Sequence, residues 1–180
     1  LGLNLFTLNT GFKYMLSEFE YSLPKRTRPY PEKIYIASFY YAGGVRQNST
    51  YENKKYLTQS IISDVSIKFN PKRRFGLGFD ITVDPSIKWQ ILEDINYQYI
   101  GFQQNIRLGF HLSHDVYLSD DFVCLMHLGA YAYNKYNPSN KYLVYSRIGV
   151  RYIFEDKFFA NIILKSHTSV ADFLEIGFGY

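Results

Sequence analysis

Cysteine is almost absent. Cys124 stands alone among 180 residues, which excludes a disulfide scaffold and any multi-cysteine metal centre. Tryptophan is equally scarce, with one residue. No HExxH helix, phosphate-cradling glycine loop or Cys/His ligand spacing occurs, so no metal or other cofactor is expected. Long apolar runs are missing too: nothing approaches the roughly 18–20 consecutive apolar residues of a membrane helix. Yet 47 % of the chain is hydrophobic while mean hydropathy is only −0.20. Apolar residues are therefore interleaved with polar ones instead of gathered in blocks. The charge surplus is small, +4 with a pI near 9.0, and it suits anionic lipid headgroups as well as nucleic acid. What the chain has in quantity is tyrosine, 18 residues, and phenylalanine, 15. Tyrosine joins an apolar ring to a polar tip and fits a water–lipid boundary.

The interleaving has a period of two. In "RFGLGFDITV", Phe75, Leu77, Phe79, Ile81 and Val83 share one face, and Arg74, Gly76, Gly78, Asp80 and Thr82 share the other. "LTQSIISDVSIKF" and "IGFQQNIRLGFHL" repeat the pattern, and so does the start, where Phe6, Leu8, Phe12 and Tyr14 oppose Thr7, Asn9, Gly11 and Lys13. A soluble sandwich or a lipocalin-like barrel would also alternate. Two features favour a membrane barrel. The strands look long, about 10–13 residues against a usual mode near 5–6, and glycines recur on the polar face, as a crowded small-barrel interior requires. Strands of about 9–11 residues, an apolar exterior, a polar lumen and aromatic girdles are the marks of a transmembrane β-barrel.

The expected fold is all-β, an antiparallel up-and-down transmembrane β-barrel in a single domain over residues 1–180. About nine strands are expected, at 3–15, 33–46, 55–69, 74–83, 97–112, 121–134, 142–154, 158–167 and 172–180. "NPKR" and "FEDKF" read as tight turns, and "VDPSIKWQILEDIN" is long enough for a small helix or lid. Bacterial barrels have an even strand number, with short turns on the periplasmic side. Counting back from a periplasmic Tyr180 puts both tight turns there, and puts Leu1 outside. That count predicts at least one further strand upstream, so the chain is expected to be an incomplete portion of a larger barrel.

Chemistry-bearing residues are few. "LKSHTSVADFLEIGFGY" holds His167 and Ser169 at i, i+2, which places them on one side of a strand, with Glu175 following on the next. A serine nucleophile needs a histidine within hydrogen-bond reach and an acid to orient it. His167, Lys165 and Glu175 share the inward phase, so the plainer reading is a polar hairpin top with an internal Lys165–Glu175 pair. "GFHLSHD" offers a second pair, His111 and Ser113, with Asp115, at a periplasmic strand end. Arg107, Arg147, Arg151, Asp64 and Asp80 also face inward and predict a lumen lined by paired charges. His127 is expected to be structural.

Several stretches resemble one family. "LGLNLFTLNTGFKY", "LGAYAYNKYN", "YSRIGVRYIFEDKFFANIILKSH" and "ADFLEIGFGY" are similar to segments of the lipid A 3-O-deacylase (acyloxyacyl hydrolase-like) outer-membrane barrels. The resemblance implies hydrolysis of an ester-linked acyl chain of lipid A by a serine nucleophile, a histidine base and an acidic partner, on the outer-leaflet side. It implies the outer membrane of a Gram-negative bacterium, lipid A as partner, no nucleic acid and no cofactor. In longer members a His-aromatic-Ser-Asn motif precedes a strand like "LGLNLF". That motif is accordingly expected ahead of Leu1, and no residue here is matched to its His and Ser. Within the chain, the expected triad is Ser169 as nucleophile, His167 as base and Glu175 as orienter. The competing expectation is a non-enzymatic structural or porin-like barrel.

Overall fold

Period-two alternation resolves into eight antiparallel strands in the computed structural model, which describes residues 33–47, 54–137, 143–154, 157–167 and 170–180. They are β1 (Ile34–Gln47), β2 (Lys55–Asn70), β3 (Arg73–Val83), β4 (Ile106–Tyr117), β5 (Phe122–Asn134), β6 (Val144–Phe154), β7 (Phe158–His167) and β8 (Val170–Gly179). Each pairs with the next in sequence, and β1 pairs with β8, so the sheet closes as an up-and-down barrel. Closure gives every strand a neighbour on both sides, although the β1–β8 ladder covers only part of both strands. Among the described residues the ring closes on eight strands, which correspond to eight of the nine expected, and this closure corrects the expected incomplete portion of a larger barrel. The expected first strand, 3–15, lies outside the described residues.

The faces fall as the alternation dictates. Phe39, Val65, Leu77, Phe110, Leu112, Leu128, Ile148, Ile162 and Phe178 point outward and are exposed. Their sequence neighbours point inward and are buried, among them Ser38, Thr58, Ser60, Asp64, Asp80, Arg107, His111, Arg147 and Glu175. At the end bearing the short links 71–72, 118–121 and 155–157, outward rings touch one another: Phe69 on Phe75, Tyr152 on Phe154, and Phe158 on Tyr180, with centroids 5.3, 4.9 and 5.4 Å apart. The long link 84–105 lies at the opposite end.

An eight-stranded barrel is just wide enough for side chains to fill, and here polar ones do much of the filling. Arg147 Nη1 donates to Asp80 at 3.1 Å and its Nε to Glu175 at 2.9 Å. Tyr145 also donates to Asp80, and Arg74 pairs with Asp115. His111 and His127 stack at 4.8 Å with planes 3° apart. The glycines on this face make room. A Cβ on Gly129 would meet the Tyr145 ring at 2.2 Å, and one on Gly78 would meet the His111 ring at the same distance. An apolar cluster of Tyr40, Ile62, Val123, Leu125, Phe159 and Ile163 packs among the charges.

Two local departures position the site. Residues 97–105, expected to begin a strand, instead form loop and a 3-10 turn (Phe102–Asn105), and β4 starts only at Ile106. The Gln104 side chain accepts from the Ile100 amide at 2.6 Å and donates to the Gln98 carbonyl at 3.1 Å. Such side-chain bonds give the backbone an alternative to the ladder. The expected helix in "VDPSIKWQILEDIN" is α1 (Ser86–Glu93), whose Ile87 and Ile91 pack against Tyr136 over the same end of the barrel.

Candidate active site

His167 is the last residue of β7 and points into the barrel, 2 % exposed. Its Nδ1 lies 2.9 Å from Oδ2 of Asp172, and its Nε2 lies 2.8 Å from the Tyr131 hydroxyl. An imidazole addressed on Nδ1 by a carboxylate is held in one orientation and one tautomer, with Nε2 left as the basic nitrogen.

Asp172 reaches this place because β8 carries an extra residue. Lys165 faces Phe173 across the β7–β8 ladder, but Ser166 faces Ala171, so Asp172 has no partner opposite and forms a bulge. By simple alternation with Phe173 and Glu175 inside, Asp172 would point out. A one-residue bulge re-aims a side chain in this way. Its side chain is 10 % exposed.

Glu175, the acid expected to orient His167, is occupied elsewhere. Ser60 Oγ and Arg147 Nε each donate to it at 2.9 Å, deep in the barrel. The expected Lys165–Glu175 pair does not form either: Lys165 Nζ donates to Thr82 Oγ1 at 3.0 Å. Ser169 lies outside the described residues. In the second His-x-Ser pair the partners diverge. His111 Nδ1 sits 3.3 Å from Asp80, while Asp115 pairs with Arg74 and lies 3.4 Å from His127 Nε2. The described contacts therefore assemble no triad there.

Around His167 and Asp172 stand groups that the sequence reading did not gather. Arg46 Nε lies 2.9 Å from Asp172 Oδ1, and Arg46 Nη1 donates to Asp84 Oδ2 at 2.5 Å. Asp84 follows β3 and opens the turn into α1, accepting from the Ser86 amide at 3.0 Å and its hydroxyl at 2.5 Å. Burial pushes the Asp84 carboxyl up, but the guanidinium groups of Arg46 and Arg107 and the Ser86 hydrogen bond outweigh it and hold it below its usual range. All of these residues sit at the barrel end that carries the long link. Arg107 was legible as inward by phase. Arg46, Asp84 and Tyr131 carry no motif, and the bulge that turns Asp172 inward has no signature in an alternating string.

No curated protein matches the chain. The family model for the C-terminal domain of acyloxyacyl hydrolase matches residues 35–180, a span that starts within β1, runs through β8 and includes His167, Ser169 and Asp172. A closed eight-stranded barrel with a carboxylate-held histidine at its loop-bearing end, matched over most of its length by that model, belongs to the acyloxyacyl hydrolase family.

Proposed function

We propose that this protein is an outer-membrane hydrolase that releases an ester-linked acyl chain from lipid A. The observation that carries the reading is the His167 Nδ1 lying 2.9 Å from Asp172 Oδ2, in a barrel of the acyloxyacyl hydrolase family. The apolar exterior supports a bilayer setting, since strands cross hydrocarbon only in a closed ring. With short links to the periplasm, the site stands at the outer-leaflet end, where lipid A resides.

In this mechanism Ser169 Oγ attacks the acyl carbonyl and its proton passes to His167 Nε2. The sugar hydroxyl leaves with that proton, and water then hydrolyses the acyl-serine by the same base. Asp172 takes the orienting role first assigned to Glu175. No metal is required by this sequence of steps. The test is mass spectrometry of lipid A from cells making the wild type, Ser169→Ala and Asp172→Asn. Loss of one ester-linked acyl chain with the wild type alone supports the reading; unchanged deacylation by Ser169→Ala ends it.

One observation favours a non-enzymatic barrel: the Tyr131 hydroxyl sits on His167 Nε2, the nitrogen that a serine would need. Under that reading none of the three proteins alters lipid A.

A further inference from the structure

The β1–β8 seam differs from the other seams of the ring. Its ladder runs from Tyr40–Gly179 to Gly44–Glu175 and stops there, although β1 continues to Gln47 and β8 begins at Val170. Above Gly44 the two strands are not joined by backbone pairing. Asp172 lies in this unpaired stretch and is also the bulged residue on the β7 side. Its backbone therefore has no ladder partner on either side, yet its carboxylate must meet His167 Nδ1 with hydrogen-bond accuracy.

The missing restraint comes from a side chain. We propose that Arg46 is a positioning residue that spans the open seam and holds the Asp172 carboxylate against His167. This rests on the reading of His167 as the catalytic base. Arg46 is 6 % exposed. Its Nε edge engages Asp172 Oδ1, which leaves Oδ2 facing His167, while its Nη1 engages Asp84 Oδ2. The far anchor is itself fixed. Asp84 donates its amide to the Asn105 carbonyl at 2.8 Å and takes the Ser86 contacts at the start of α1. A planar guanidinium engages two carboxylates from two of its edges with its orientation locked, whereas an ammonium is a rotating point charge. Arg46 thus ties the orienting acid of the site to the loop that carries α1. Its expected contribution is geometric, since displacing a reacting group by about 1 Å costs about a hundredfold.

The experiment uses the full chain refolded in detergent micelles, with Arg46→Met, Arg46→Lys, Asp172→Asn and the double variant Arg46→Met/Asp172→Asn. Two readouts are taken. The first is the Nδ1–H proton resonance of His167 in histidine-labelled protein, which reports the Asp172 contact whether or not the protein is an enzyme. The second is kcat and KM for release of fatty acid from lipid A. Arg46→Met is expected to remove or broaden the resonance as Asp172→Asn does, and to lower kcat about a hundredfold at nearly constant KM. Arg46→Lys is expected to recover only part of that loss. In the Asp172→Asn background Arg46→Met should cost nothing further, because it acts through Asp172. Persistence of the resonance in folded Arg46→Met, or a kcat loss of equal size in both backgrounds, overturns the proposal. A wild type that shows the resonance but releases no fatty acid refutes the hydrolase reading; loss of the resonance in Arg46→Met then still supports the tether.

Discussion

His167 is addressed through both ring nitrogens, and the two contacts pull its chemistry in different directions. In the proposed hydrolase Asp172 on Nδ1 prepares a base, while the Tyr131 hydroxyl 2.8 Å from Nε2 competes for the nitrogen which that base would use. Asp172→Asn presents an amide to Nδ1 and favours the wrong tautomer. It is expected to reduce kcat by at least about a hundredfold, with little change in the midpoint of unfolding, because Asp172 sits at a strand end. Glu175→Gln is expected to do the reverse. It leaves turnover per folded molecule within a few-fold, but it removes the charge that answers Arg147 and destabilises the barrel by about 3 kcal/mol, read as urea unfolding by tryptophan fluorescence. Tyr131→Phe keeps the ring that packs 4.7 Å from Tyr145 and frees Nε2. An ordinary hydrogen bond nets about 0.5–1.5 kcal/mol, so kcat/KM should rise about two- to tenfold. A fall instead would make the hydroxyl part of the machinery.

At the scale of elements, α1 is tied to the wall by charge as well as by packing. Asp84 has its carboxyl held below the ordinary 3.8, so the folded state binds its proton less readily than the unfolded one. The stability this confers is fully present above that value and drains away as pH falls through the depressed one. Asp84→Asn lacks the contribution at every pH. The two proteins should therefore differ most at neutral pH in protease nicking of the 84–105 link, and converge in acid. The elements themselves were largely readable. Alternation located β2, β3 and the β6–β7 hairpin because one face of each strand is mostly apolar. It failed at 97–105, where Ile100 and Phe102 keep the phase but Gln104 turns its amide on the backbone. It failed again at Asp172, because a bulge shifts phase by one and leaves the composition untouched. Periodicity sets Glu175 on the inward face with His167, and only the register shows Asp172 beside that histidine.

For the whole molecule, the inside-out distribution is the governing fact: charged and hydroxyl groups fill much of the bore beside one apolar cluster, and aliphatic and aromatic chains cover most of the outside. Such a surface suits the hydrocarbon setting proposed above. Leu112, midway along β4 and 59 % exposed, is expected to tolerate alanine, whereas Leu112→Arg should cost about 2–4 kcal/mol in lipid vesicles. Equal stability of the two variants in vesicles would mean that this band does not face a bilayer. The density of side chains across the bore also argues against the porin-like expectation, since Arg147, Tyr145, Asp80 and Glu175 meet across the middle.

The seam between first and last strands has a mechanical meaning as well. Most of the hoop is stitched along nearly the full height of its staves, but this joint is sewn for only part of its height. Under thermal or pulling stress the ring should part there first, from the loop-bearing end downward, and amide exchange should be fastest at Val45–Gln47 and Ala171–Phe173. The same rupture would separate Arg46 from Asp172 before the ring itself came apart.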